Sequence, residues 1–77
     1  MNYKYGLKLS VNGSDIDQEA IAQLFAMTFK GEHLQVSGTD KAVTIAYRTD
    51  EPWKVLEFCA TFGEMHSIEI KNLKVEA

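Results

Sequence analysis

Two stretches of this chain, about 33 residues apart, carry nearly the same order of side chains. Residues 29–36 read FKGEHLQV, and residues 62–70 read FGEMHSIEI. In each stretch the end of an amphipathic helix is followed by a glycine and then by the alternating apolar residues that are typical of a strand. Self-similarity at a fixed spacing predicts a structural unit that occurs twice.

The first half of the chain predicts a strand, a helix and a second strand. Residues 3–11 alternate apolar and polar side chains with the period of two that is typical of a half-buried strand. After a turn over residues 12–14, Asp17 is placed to cap a helix that should run over residues 18–30 and end before Gly31. A short strand around Leu34 and Val36 should follow.

The second half predicts the same elements again. Residues 43–48 form a strand with odd-numbered side chains inward, and this strand makes a hairpin with the one before it. Thr49 or Asp50 should cap the second helix, which is expected to end at Gly63. In the last strand the apolar residues change phase near Asn72, which predicts a bulge or strand end there. The tail over residues 74–77 is expected to fray.

Two helix-to-strand units, each preceded by a strand, predict an α+β fold with the ferredoxin-like βαββαβ order. We expect two helices on one face of a four-stranded antiparallel sheet whose strand order is 4-1-3-2. A chain of 77 residues has room for one hydrophobic core, so residues 1–77 are expected to form a single domain. Because this fold carries many unrelated functions, it does not indicate one by itself.

Charge and motifs argue against several classes of function. The formal net charge of −3 disfavours a general binder of polyanions, because that affinity comes from many Lys and Arg residues on phosphates. The sequence contains no glycine-rich phosphate loop, nucleophile elbow, Ser-His-Asp arrangement or C-x-x-C metal loop. We therefore expect neither an enzyme nor a protein that binds a cofactor or a metal.

The single cysteine and the hydropathy pattern bear on the compartment. Cys59 cannot form an internal disulfide, and its apolar helical neighbours predict a packed thiol in a reducing compartment. No run approaches the roughly 20 apolar residues of a membrane span, and the first residues lack the apolar segment of a signal peptide. We therefore expect a cytoplasmic protein without membrane contact.

The two predicted helices carry more apolar surface than one sheet can cover. In the second helix the apolar arc spans roughly 220°, whereas a helix on a sheet usually needs somewhat over 100°. Exposed aromatic and methionine side chains are enriched in protein interfaces. The expected anchors of a partner are Trp53, Phe58, Met27 and Phe29, and the acids Glu57, Glu19 and Asp50 would steer a basic partner.

The opposite, open face of the sheet is predicted to be basic. Its expected anion-binding residues are Lys4, Lys8, Arg48 and Lys71, against a single acid, Glu69. Sheets of the RNA-recognition-motif kind stack bases on aromatic residues of the two central strands, and the matching outward positions here hold no aromatic. Nucleic acid is therefore disfavoured, and a small anion or an acidic protein surface stays an alternative ligand for this face.

Taken together, these patterns favour a small non-enzymatic protein-interaction module, an acidic inhibitor or regulator that occludes a surface of a partner protein. Its size and charge also fit the small blocking proteins that phages and mobile elements make. The first alternative is a homo-oligomeric domain, such as a homodimer, that senses a small ligand, with the edge strand at Leu34 available for strand pairing. The second alternative is nucleic-acid or anion binding on the basic sheet face.

Overall fold

A computed structural model describes residues 3–73 of the chain. Two helices cover one face of an antiparallel sheet of four strands, and the other face is open. The elements are β1 (Tyr5–Asn12), α1 (Gln18–Thr28), β2 (Gly31–Gly38), β3 (Ala42–Thr49), α2 (Pro52–Cys59) and β4 (Glu64–Asn72).

The predicted notation of the strand order needs correction. The strands lie in the order β2-β3-β1-β4, which replaces the predicted notation 4-1-3-2. A row of strands can be read from either edge, so both notations put β3 and β1 in the centre and β2 and β4 at the edges. The structure differs from the expected one in the ends of the helices and in the register of the edge strands.

The core lies between the central strands and the helices. The register of β1 and β3 is regular from Tyr5 opposite Thr49 to Asn12 opposite Ala42, so their alternate side chains share one covered face. Helix α1 packs mainly over β2, and helix α2 packs mainly over β1. The buried hydrophobic residues are Leu7, Leu9, Val11, Ile16, Ile21, Phe25, Val43, Ile45, Tyr47, Val55 and Cys59.

Helix α1 begins where it was predicted and ends earlier. A carboxylate oxygen of Asp17 accepts hydrogen bonds from the backbone N–H groups of Glu19 and Ala20, at 3.0 and 3.2 Å. The predicted cap is therefore confirmed. The predicted end at residue 30 is wrong, because Phe29 already has an extended backbone with φ −119° and ψ 155°.

The predicted bounds of the second helix are also wrong. Its N-cap is Glu51, whose side chain makes no capping hydrogen bond, and Pro52 occupies the first turn. Thr49 instead donates its hydroxyl to the Lys30 carbonyl oxygen at 3.1 Å and accepts from the Glu51 N–H at 3.2 Å. The helix ends at Cys59, and a turn over residues 60–62 leads to β4.

The repeated glycines serve close packing rather than helix termination. A Cβ atom at Gly31 would clash with the ring of Tyr47, and one at Gly63 would clash with the carbonyl oxygen of Asn12. Neither glycine has the positive φ of a helix C-cap. Each one lets the start of an edge strand lie tightly against its neighbour.

Both edge strands contain a bulge. In β2 the register shifts between Glu32 and Gln35, and in β4 it shifts opposite Leu9. The residues that adopt a positive φ at these bulges are His33 (55°) and Ser67 (54°). The sequence predicted a bulge or a strand end near Asn72, and the strand end is confirmed, because β4 ends at Asn72, opposite Tyr5. The bulge at Ser67 was not predicted. Residues 74–77, which were expected to fray, lie outside the described residues.

Candidate interaction surfaces

The four predicted anchors divide into two exposed and two half-buried side chains. Met27 on α1 is 83% exposed, and Trp53 on α2 is 58% exposed. Phe29 and Phe58 are only partly exposed and pack against the core. One chain therefore leaves a methionine and its only tryptophan in solvent, while it shelters most of both phenylalanines.

The two half-buried phenylalanines belong to a cluster of rings between the helices. Phe25 is at its centre and contacts Phe29, Phe58 and Tyr47 edge-on, with ring centroids 5.3, 5.8 and 5.2 Å away. Phe58 also contacts the rings of Phe29 and Phe62 at 5.4 and 5.1 Å. Edge-to-face pairs of this kind add stability to their burial, so the cluster fixes how α1 and α2 lie together.

Trp53 lies on the flank of α2 that faces away from this cluster. Phe58 points to α1, and Trp53, five positions earlier, is about 140° around the helix from it. Because α1 packs on β2 and α2 on β1, the flank that faces away from α1 is the one on the β4 side. Glu57 follows Trp53 by one helical turn and is exposed.

Two isoleucines of β4 are exposed although they lie on the helix side of the sheet. Ile70 stands opposite Leu7, which is buried, so both residues are on the covered face. Nevertheless Ile68 is 44% and Ile70 is 45% exposed, since α2 packs mainly over β1 and the described residues leave this part of β4 uncovered. We call Ile68 and Ile70 the β4 flank. The alternation of apolar and polar residues along β4 predicts that both isoleucines are on the helix side of the sheet. It does not predict whether a helix covers them.

The outer faces of the two helices form the second exposed surface. Its apolar residues are Leu24 and Met27 on α1 and Trp53 on α2. The predicted acids Glu19 and Glu57 are exposed on the same helices. We call these five residues the helix surface. The third predicted acid, Asp50, is engaged within the chain, because its carboxylate accepts the backbone N–H of Lys4 at 2.7 Å.

The open face of the sheet contains a concavity of about 470 Å³. Gly6 on β1 and Ala46 on β3 are small residues at adjacent central strands and leave room for it. Three of the four predicted anion-binding residues, Lys8, Arg48 and Lys71, line it. Lys4 is not among its lining residues, and its ammonium lies 5.4 Å from the ring centroid of Tyr5.

Acidic residues counter much of the positive charge on this face. Arg48 is 3.8 Å from the carboxylate of Glu32, which also lies 3.3 Å from His33. Lys8 stands opposite Glu69 in the register of β1 and β4. Glu32 on β2 stands opposite Arg48 in the register of β2 and β3.

The remaining reactive side chains have structural surroundings. Burial raises the pKa of the Cys59 thiol to about 11, so the thiol stays protonated and non-nucleophilic at neutral pH. The two ring nitrogens of His66 lie 3.1 Å from the Ser67 hydroxyl and 3.2 Å from the Asn12 side-chain oxygen. Within residues 3–73 no three His, Cys, Asp or Glu side chains are grouped as metal ligands. Neither described helix has the length and apolarity needed to cross a membrane.

In comparisons with known proteins, the chain shows no significant match to a protein-family model, to a curated protein or to a solved structure.

Proposed function

We propose that this chain is a small non-enzymatic interaction module that binds another protein through the helix surface. The observation that carries the proposal is the exposure of Trp53 and Met27 on neighbouring helices whose inner aromatic residues are already packed. Tryptophan is among the residues that contribute most energy to protein interfaces. A domain that leaves its only tryptophan in water gains apolar burial when a partner covers it.

The expected partner presents an apolar pocket surrounded by basic groups. Glu19 and Glu57 lie exposed on the helices, and the chain as a whole carries a net charge of −3. Charge complementarity of this kind raises the association rate and sets the orientation of docking. Trp53 would fill the pocket, and a covered partner surface could not bind its own ligand. In this way the module would act as an inhibitor or regulator in the cytoplasm.

The test compares capture by three forms of the chain from an extract of its native host. We expect the unchanged chain to retain a partner with a basic surface and Trp53→Asp to lose it, because a carboxylate replaces the apolar anchor. Gln35→Asp is the matched control, since it adds the same charge on an exposed residue of β2. Thermal unfolding of all three forms shows that they are folded. Equal retention of the same protein by all three would reject the helix surface as the binding site.

The concavity of the open face supports a second candidate function, the binding of a small anion. Lys8, Arg48 and Lys71 line it, and the residue opposite Lys71 is Gly6, which has no side chain. Such binding would weaken steeply as salt is added. Titration with inorganic phosphate and with a single-stranded oligonucleotide at low salt distinguishes the two ligands. If neither perturbs the NMR signals of these residues, this candidate is eliminated.

A further inference from the structure

The two outer edges of the sheet differ in what covers their apolar residues. Within the described residues no strand lies beside either β2 or β4 on the outside. Leu34 and Val36 of β2 are half-buried and lie close to Ala22 of α1. None of residues 3–73 covers the β4 flank in this way, and both of its isoleucines are exposed. A further strand would therefore gain more apolar contact at β4 than at β2.

We infer that β4 pairs in antiparallel fashion with β4 of a second copy of this chain, with a two-fold axis at Ile70. Pairing of an edge with its own copy closes after two subunits, because each surface is used once. Pairing of β4 with β2 of another copy would leave a free edge at each end and would grow into a filament. The symmetric arrangement is thus the one that ends at a defined size.

The charges of β4 select the position of the axis. A two-fold axis perpendicular to the sheet keeps each side chain on its own face of the sheet. Such an axis must therefore pass midway between one residue of β4 and the same residue of the second copy. An axis at Glu69 would set two carboxylates opposite each other, and an axis at Lys71 would oppose two ammonium groups. An axis at Ile68 would carry the pairing through the bulge at Ser67.

An axis at Ile70 avoids all three problems. Glu69 of each copy then stands opposite Lys71 of the other, which forms two equivalent pairs of opposite charge on the open face. Within its own sheet Lys71 stands opposite Gly6, so the second copy supplies the carboxylate that this position lacks. On the helix side the two Ile70 side chains meet, with Ile68 of each copy diagonally adjacent.

The bulge at Ser67 limits how far this pairing extends. Ser67 has a φ of 54° and interrupts the regular edge, so only the part of β4 after it offers a flat edge. The segment Ile68-Glu69-Ile70-Lys71 within that part carries both the apolar and the complementary charged residues. The resulting sheet has eight strands, and the helices of both copies lie on the same side of it.

A charge-swap experiment tests the dimer and its register together. In Lys71→Glu both facing pairs become two acids, and in Glu69→Lys both become two bases, so each variant should repel its own copy. Mixed in equal amounts, the two variants restore opposite charges at both pairs. By sedimentation equilibrium we expect each variant alone to dimerise about tenfold more weakly than the unchanged chain, or worse, and the mixture to recover.

A control variant separates the loss of the facing charge pairs from a general effect of charge. Lys41→Glu changes the charge by the same amount in the β2–β3 turn and should dimerise like the unchanged chain. Circular dichroism shows whether the variants are folded. An unchanged chain that stays monomeric at high concentration overturns the proposal, and so does a mixture that dimerises no better than its components. The measurement needs no partner protein, so its result is independent of the proposed function.

Discussion

At the scale of single residues, Cys59 shows how burial changes the chemistry of a side chain. Its thiol is fully buried in the core between α2 and the sheet, and burial raises its pKa from 9.0 to about 11. The unfolded chain has no such burial, so its thiol ionises at lower pH. The difference in pKa links the stability of the fold to pH in the alkaline range.

We predict that the free energy of unfolding falls between pH 9 and about 11, by up to about 1.4 kcal/mol per pH unit from this group. Below pH 9 both states hold the proton, so the contribution is fully present there. Burial also raises the pKa of Tyr47, which adds a loss of the same sign above its ordinary pKa of 10.0. Urea unfolding at several pH values measures the slope, and Cys59→Ala should reduce it. If the free energy of unfolding fell equally steeply with pH in both proteins, Cys59 would not be the source of the loss.

A second residue effect concerns the backbone of Ser67. Its φ of 54° lies in the left-handed region, where a side chain costs about 1 kcal/mol relative to glycine. We predict that Ser67→Gly raises the free energy of unfolding by about 0.5–1 kcal/mol, measured by urea unfolding. Ser37→Gly, in the regular part of β2, is the control and should lower stability by about the same amount. Destabilisation by both changes would show that the bulge is not strained.

At the scale of elements, local signals predicted the start of α1 better than its end. Asp17 caps α1 through two backbone N–H groups, which is an interaction within a few residues along the chain. The end of α1 depends on Phe29, whose ring joins the cluster with Phe25 and Phe58. Gly31 was predicted to end the helix because glycine often has that role. In the structure a glycine is needed there because any side chain would clash with the ring of Tyr47.

We predict that Asp17→Ala lowers the free energy of unfolding by about 1 kcal/mol, because two backbone donors of α1 lose their acceptor. Asp17→Asn keeps a side-chain oxygen at the same place and should retain most of the stability. Chemical denaturation of the three proteins makes the comparison. If the asparagine variant were as unstable as the alanine variant, the negative charge near the helix dipole would be the main contribution instead.

At the scale of the whole molecule, stability and proposed binding depend on different residues. Leu9 has no exposed surface and lies between the sheet and the helices, whereas Trp53 is exposed. A domain of this size has a total stability of about 4–12 kcal/mol, so a single core residue accounts for a large share. Loss of a residue of the helix surface removes little buried area.

We predict that Leu9→Ala lowers the free energy of unfolding by about 2–5 kcal/mol, because it leaves a cavity in the core. Trp53→Ala should change it by less than about 1 kcal/mol. Thermal or urea unfolding of the two variants measures both values. A loss of several kcal/mol for Trp53→Ala would mean that Trp53 supports the fold, and the proposal that it serves a partner would fail.

The candidate surfaces show which properties lie beyond local sequence patterns. Exposure of Trp53 and Met27 was expected from the width of the helical apolar arcs, which is a local property. Phe29 and Phe58 were expected to be exposed anchors on the same grounds, but both are half-buried in one ring cluster, since their exposure depends on how the two helices meet. The exposure of Ile68 and Ile70 was also missed, because their alternation shows which face they share but not whether a helix covers it.

The sequence by itself determined the repeated unit, the number and order of helices and strands, and the inward residues of the central strands. These depend on periodicity and on neighbours along the chain, and both can be read without coordinates. The tertiary structure decided which apolar residues stay exposed, where the edge strands bulge and which charges face each other. Those properties depend on the lateral position of two short helices on the sheet and on strand register, which arise from contacts between residues far apart in the chain.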